Sequence, residues 1–419
     1  MRLRVRDRPG RVTRSMREVS PSIDRPVRLR LAFVAAVLAL VAAFAAVGST
    51  IPLFNVYRAE DGFTNAGIST TVVAYSAATL ATLLVFGRVS GHLGRRPVAI
   101  SSLVVLLAGS VLLLNVHEIG VLIAGRVLMG VGAGLASTSL NSYIVDAAPR
   151  RPGWLASVAS SQTVMLGLAA GAVASGALVE FGPWPRDLIF LVVIALLLIS
   201  MAVIAMSPET VPRTPGLRRS LRPRVFLPVP ARPVLPAAAA VLLATWAAGA
   251  FYQAFVPGLI QEQLHTRSPL VVGLVFAAYM GASVIGAPLS GRLTPATAQR
   301  VAMTGFLVGM AGTIVAMATA ALPLLIAATI LAGVSQGIAI SAATRALLHG
   351  STPADRAATF SVIYLFSYGG ATVPALVAGQ LSRAFSLPQI AVGYGALALV
   401  ATIITLAAAR DPAPGSPAR

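Results

Sequence analysis

The 419-residue chain contains no cysteine, and its 32 basic residues are all arginine. The missing thiols exclude disulfides, thiolate nucleophiles and cysteine-ligated zinc. The missing lysines exclude a phosphate-loop lysine and Schiff-base chemistry. Charge is scarce too: 11% of residues are charged and 57% are hydrophobic, against about 25% charged in an ordinary soluble domain. A water-soluble fold has nowhere to put that much apolar surface. The net charge of +19 looks at first like the footprint of a protein that neutralises phosphates, but its distribution along the chain argues against a nucleic-acid partner. The lysine-free, alanine-rich composition fits codon bias in a high-GC bacterium.

Apolar runs of about 20 residues, the length that crosses a hydrocarbon core, lie at 31–53, 68–87, 97–116, 119–145, 154–179 and 187–206. Six more follow at 236–259, 269–290, 301–320, 322–343, 357–380 and 388–409. Within 301–343 only Leu322 and Pro323 punctuate one long stretch, so a hairpin there rests on total length. Between the two sets, residues 207–235 are rich in proline and arginine and read as a solvated linker. The expected fold is an all-α membrane protein with twelve transmembrane helices. Its parts are a basic tail (1–30), a six-helix bundle (31–206), the linker (207–235), a second six-helix bundle (236–409) and a short tail (410–419).

Arginine is distributed very unevenly over the alternating loops. Arg58, Arg186, Arg267 and Arg383 fall on one side, Arg126 lies inside a span, and the remaining 27 fall on the other side. Cytoplasmic loops carry the positive excess, so both termini are expected in the cytoplasm and the chain in the bacterial plasma (inner) membrane. The apolar run behind the basic tail exceeds the roughly 7–15 residues of a signal-peptide core. The tail therefore reads as a topogenic, lipid-touching segment.

The two halves resemble each other. Residues 123–134, with Arg126, Gly130, Gly132 and Gly134, align at an offset of 203 with residues 326–337, where Gln336 stands within the stretch that answers the glycine run. The same offset lays Gly167, Gly171 and Gly176 over Gly370, Pro374 and Gly379, and an offset of 200 lays 90–93 over 290–293. Three ordered matches at nearly one offset point to a duplicated six-helix unit with two pseudo-symmetric bundles.

Three of these segments carry a family resemblance. The loop Gly87-Arg88-Val89-Ser90-Gly91-His92-Leu93-Gly94-Arg95-Arg96 resembles the signature between helices two and three of the major facilitator superfamily. Gly87, Gly94, Arg95 and Arg96 fit the pattern, while Gly91 occupies its aspartate position. The resemblance implies a cytoplasmic gate loop that lacks one acidic member. Helix four, with Arg126, Gly130, Gly132 and Gly134, resembles the family's Arg-xxx-Gly-x-Gly-x-Gly pattern, which implies a part for Arg126 in proton coupling or substrate binding. A snorkelling arginine near the helix end is the alternative. Helix five, with Gly167, Gly171 and Gly176, is similar to a motif of the 12-helix drug-proton antiporters, although small residues four apart also mark close helix packing.

The resemblance covers residues 31–409 and implies a secondary transporter that works by alternating access. Efflux of small hydrophobic or amphipathic compounds against proton influx is the expected activity, with an uptake symporter or facilitator for a small metabolite as the alternative. No carboxylate sits at mid-membrane, so coupling falls to Arg126 or to Asp146 at the end of helix four. The expected cavity residues are the polar and aromatic ones within spans, namely Ser137, Asn141, Gln162, Trp246, Tyr252, Gln253, Gln336 and Tyr368. Paired intramembrane carboxylates and a His-Glu-x-x-His motif are missing, which argues against an enzyme. Neither a cofactor nor a metal is expected. The expected partners are a small-molecule substrate, protons and membrane lipid, and the chain is expected to act as a monomer.

Overall fold

The computed structural model describes residues 24–149, 155–223 and 225–412. The first 23 residues of the basic tail, Arg150, Arg151, Arg224 and the end of the short tail lie outside the described residues. Among the described residues, twelve helices are long and apolar enough to cross a membrane. In the first half they are α1 (Asp24–Gly48), α2 (Asn65–Phe86), α3 (Arg95–Leu112), α4 (Ile119–Ala147), α5 (Leu155–Phe181) and α6 (Leu188–Met206). The second half holds α7 (Leu235–Ala254), α8 (Pro269–Leu289), α9 (Pro295–Ala318), α10 (Leu322–Leu348), α11 (Pro353–Leu381) and α12 (Leu387–Ala408).

Local chemistry sets many of these starts. Thr64, Ser268, Thr294 and Thr352 each accept a backbone N–H with the side chain at a helix N-terminus, and Ser386 forms a capping box with Gln389. Such caps satisfy N–H groups that have no partner inside the helix. The 301–343 stretch does divide: residues 319–321 form the turn, Ala320 takes a positive φ of 51°, and Pro323 enters the first turn of α10. A proline there loses no helical hydrogen bond.

An even number of crossings puts both described ends on one face, here called the terminal face; the other is the distal face. Two expectations are corrected at the distal face. The runs 31–53 and 236–259 are not single helices. Helix α1 stops at Gly48 and restarts as a short helix, Leu53–Glu60, while α7 stops at Ala254 and restarts as Val256–Gln263. Pro52 and Pro257 sit at the two restarts, and neither has an N–H to continue a helical ladder. Carbonyls freed at the α7 break find donors in the other half. Asn55 Nδ2 donates to the Pro257 carbonyl at 2.8 Å, and Arg58 Nη2 donates to the Ala254 carbonyl at 2.9 Å.

Packing repeats between the halves. The pairs α1–α5, α3–α4 and α3–α6 recur as α7–α11, α9–α10 and α9–α12. The halves meet mainly along α2–α11 and α5–α8, two pairs that exchange under the same repeat. Small residues allow this closeness, because packing in lipid depends on backbone approach. A Cβ at Gly130 would lie 2.5 Å from the Tyr75 carbonyl oxygen of α2, and one at Gly134 would lie 2.8 Å from Thr82 Cβ. Gly132 faces Leu106 of α3, Gly167 and Gly171 face the α1 backbone, and Gly176 crosses to Pro269 and Leu270 of α8. A Cβ at Gly91, by contrast, would meet nothing within 4 Å.

Gly171→Ala is therefore expected to cost about 1–3 kcal/mol, the range for overpacking, because the new methyl collides with the backbone of Ala45. Gly91→Ala should stay within about 0.5 kcal/mol of the parent. Denaturant unfolding in detergent micelles measures both, and equal effects would contradict this packing.

Candidate transport site

Helix α4 holds Arg126 about two turns from its distal end, where the side chain is 0% exposed. A charged group placed well inside a span costs about 2.5–3.5 kcal/mol on insertion scales, so its partners decide whether it can stay. Nη1 donates to Thr50 Oγ1 at 3.0 Å and to the Val47 carbonyl at 3.3 Å. Val47 lies in the last turn of α1, the negative end of that helix dipole. The guanidinium carbon sits 4.5 Å from the centre of the Tyr75 ring on α2, a cation–π contact. Nη2 donates to Gln253 Oε1 at 3.2 Å, and Gln253 belongs to α7 in the other half. Nε has no partner. A carbonyl, a hydroxyl, an amide and an aromatic face thus replace the usual carboxylate.

Aromatic residues continue this cluster into the second half. Tyr368 stands on α11, the helix that packs along α2, which carries Tyr75. The Tyr368 ring packs on Trp246 of α7 with centroids 4.6 Å apart. Trp246 Nε1 is buried without a partner. Arg126 thus meets Gln253, Tyr75 and Thr50, and Trp246 meets Tyr368, with Gln253 and Trp246 both standing on α7.

Other expected site residues lie apart from the cluster. Tyr252 is buried within the second half, where its hydroxyl bonds Thr313 of α9 at 2.9 Å and Thr329 of α10 at 3.2 Å and its ring stacks on Tyr279. Gln336 is buried on α10, beside Gly337, which packs against the α8 backbone at Ser283. Ser137 and Asn141 are half-buried on α4; Asn141 Nδ2 donates to the Ser137 carbonyl at 2.8 Å and its Oδ1 has no partner. Gln162 is buried on α5 and donates to its neighbour Ser161 at 2.9 Å.

Asp146 lies at the terminal face, where Arg95 Nε bonds it at 2.9 Å. Around this pair the gate-loop residues meet the linker. Glu209 accepts the backbone N–H groups of Arg95 at 2.8 Å and Arg96 at 3.1 Å, and its carboxylate fills the space over Gly94, whose φ is +99°. A carboxylate at a helix N-terminus is well placed for the unpaired N–H groups and the dipole. Arg96 reaches the Ser207 carbonyl, Tyr143 donates to the Pro208 carbonyl, and Arg88 reaches the carbonyls of Ser220 and Arg222. Gly87 starts this loop against its own helix, packed on the Leu83 carbonyl.

At the distal face Arg186 binds Glu60 at 2.8 Å, Asp61 at 2.7 Å and the Val116 carbonyl, and so ties the three distal loops of the first half together. Burial alone would lower the Arg186 pKa; the bonds to Asp61 and Glu60 outweigh it and hold the guanidinium above its ordinary value. Glu180 of α5 accepts from Ser268 and from the Leu270 N–H at 3.1 Å, another bond between the halves. Ser69 of α2 donates to the Ala375 carbonyl of α11 at 2.6 Å. With Asn55, Arg58 and Arg126, these bonds hold the distal ends of the two halves together.

The partners of Arg126, and the roles of Asn55 and Arg58, were not readable from the sequence. Tyr75 on a neighbouring span and the prolines at the helix breaks were the available signals. Gln253→Leu should cost about 1–3 kcal/mol, the penalty for a buried donor left unpaired. The cycle with Arg126→Leu should show coupling of at least about 0.5 kcal/mol, as expected for residues in contact. Additive losses in the same unfolding assay would mean that the bond carries no energy.

A model of the Major Facilitator Superfamily matches residues 36–266, which span the first half, the linker and α7, and residues 237–419, which span the second half. The chain is also 36% identical over 63 residues to Sugar transport protein 2 of Arabidopsis thaliana. That match covers 15% of this chain and 13% of the length of that protein. The family consists of transporters rather than enzymes, and its twelve-helix fold is the one described above. With both halves matched by the family model, the chain belongs to the Major Facilitator Superfamily and is a multi-pass membrane protein.

Proposed function

We infer that the chain is a secondary active transporter of the bacterial plasma membrane that exports small hydrophobic or amphipathic compounds in exchange for protons. The observation that carries this reading is the site around Arg126: a buried guanidinium bonded across the halves to the neutral amide of Gln253 and faced by Tyr75, with the Trp246–Tyr368 pair on α7 and α11, and no carboxylate among them. Such a lining suits a neutral, weakly cationic or amphipathic organic molecule, whose rings and apolar parts pack on Trp246 and Tyr368. The two six-helix units rock about the linker, opening the cluster to one face at a time. The arginine asymmetry supports a cytoplasmic terminal face. Bonds at Asn55, Arg58, Glu180 and Ser69 close the distal face in the present arrangement, and they break when that face opens.

Proton coupling rests on Arg126 and Asp146. A proton does not leave arginine in this pH range, so Arg126 acts by position: its charge biases the cluster, and a bound cationic or polar cargo competes for Gln253 and Tyr75. Asp146 is bonded at the terminal face to Arg95 of the gate loop, so a change at this pair is felt by the loop that begins α3.

The matched stretch of a protein named for sugar transport favours a second reading, uptake of a small metabolite. Everted vesicles with an acidic interior separate the two. Efflux predicts uncoupler-sensitive accumulation of a lipophilic dye such as ethidium, with the initial rate falling at least tenfold in Arg126→Ala, a barrier change of about 1.4 kcal/mol. Dye levels indifferent to the gradient, together with glucose entry into right-side-out vesicles, would replace efflux by uptake.

A further inference from the structure

The linker between the halves does not behave as a free, solvated chain. Its first part is clasped to the first half: Glu209 on the start of α3, Arg88 on the carbonyls of Ser220 and Arg222, and Thr214 N–H on the His92 carbonyl at 3.0 Å. Its last part, the short 3₁₀ helix Val229–Val234, packs on α7 and α10 and buries Ala231 and Val234. Between these attachments, and at the start of the 3₁₀ helix, the linker exposes apolar side chains. There Val225 is 48% exposed, Phe226 50% and Val229 65%.

Three exposed apolar side chains are costly in water, and what surrounds them indicates what covers them. Arg213, Arg218, Arg222 and Arg232 are all exposed, and among the described residues no acidic side chain pairs with any of them. No acidic residue occurs from Thr210 to Gln261, and Glu209 is already turned inward onto the α3 N-terminus. The site also lies at the membrane boundary. Helix α6 ends at Met206, and the apolar span that contains α7 begins at Val229. Apolar side chains beside unpaired arginines at a bilayer surface are the pattern of an interfacial anchor: the apolar groups enter the acyl boundary while the guanidinium groups bind lipid phosphates.

We propose that linker residues 213–223 and 225–232 form a docking strap for anionic lipid headgroups on the terminal face. Phe226, Val225 and Val229 enter the bilayer surface, and Arg213, Arg218, Arg222 and Arg232 hold the phosphates. Because both ends of the strap are clasped to different halves, lipid binding fixes the linker relative to the membrane while the halves move on either side of it. The strap thus makes the terminal face sensitive to lipid charge, independently of what the central cluster transports.

The chain has no cysteine, so Phe226→Cys supplies a single thiol for a spin label. The labelled full-length protein is reconstituted in phosphatidylcholine vesicles with and without phosphatidylglycerol, and collision rates with oxygen and with a water-soluble nickel chelate report depth. The expected result is an oxygen-to-nickel ratio several-fold higher with phosphatidylglycerol, falling back in high salt as the charges are screened. Arg222→Gln combined with Arg232→Gln should abolish most of that rise. Ala59→Cys at the distal face serves as the folded control and should not respond to lipid charge. A water-exposed label in both lipids overturns the proposal. A label equally deep in both lipids, or a rise that survives loss of the two arginines, overturns recognition of the anionic headgroup.

Discussion

A guanidinium buried in a membrane span without a carboxylate is the constraint around which the centre of this transporter is arranged. Arg126 cannot lose its charge, so the surrounding backbone has to accommodate it. It does so by ending α1 at Gly48, which frees the Val47 carbonyl to accept from Nη1, and by placing Thr50 and the face of Tyr75 on other sides of the cation. The break in α1 is thus connected to Arg126 through hydrogen bonds as well as to Pro52 through its missing N–H. An uninterrupted α1 would keep those carbonyls within its own ladder, and the charge would lack acceptors.

Nη2 of Arg126 donates to Gln253, across the boundary between the halves. That bond, with those of Asn55 and Arg58 to the matching break in α7, makes the distal junction polar and directional. The rest of the boundary is close-packed around glycine and other small residues along α2–α11 and α5–α8. Packing of that kind tolerates small rotations more readily than interlocked large side chains, whereas each hydrogen bond is either made or broken. The combination suits a two-state device: a smooth contact along which bodies move, and a few polar bonds that define one end of the motion. At the terminal face the network is different in kind. Arg95–Asp146 and the Glu209 clasp lie within the first half and its linker, and they fix the loop that begins α3. Glu209 supplies a carboxylate to a loop whose signature has Gly91 where an acid is usual.

Apolar length alone made the twelve spans legible, because crossing a bilayer demands a long uninterrupted run; the division of 301–343 likewise rested on total length, and the turn falls at 319–321, just before Leu322 and Pro323. The repeat was legible at Arg126 and the glycines of α4, since close backbone approach leaves a residue-type signature. The arrangement around Arg126 was less so. Its acceptors include a backbone carbonyl, which any residue at position 47 would offer, and an aromatic face on α2, which looks like any other core tyrosine. The helix breaks at Pro52 and Pro257 lie inside apolar runs, where hydropathy has no reason to fall. Tyr252 and Gln336 show the converse: polar groups in a span look alike by sequence, yet Tyr252 is bonded to two threonines inside one half. The linker read as solvated because proline and arginine dominate it; its attachment depends on backbone carbonyls and on one carboxylate, Glu209.

The central claim is that the two halves move against each other and that the arrangement described here has its distal side closed. Spin labels on cysteines replacing Ala59 and Glu262, exposed positions on the two short distal helices, report that separation directly in a chain with no native thiol. The account predicts two distance populations in liposomes, a short one corresponding to the present structure and a longer one, with Gln253→Leu shifting weight toward the longer. A single short distance, unchanged by Gln253→Leu and by a pH gradient, would contradict it.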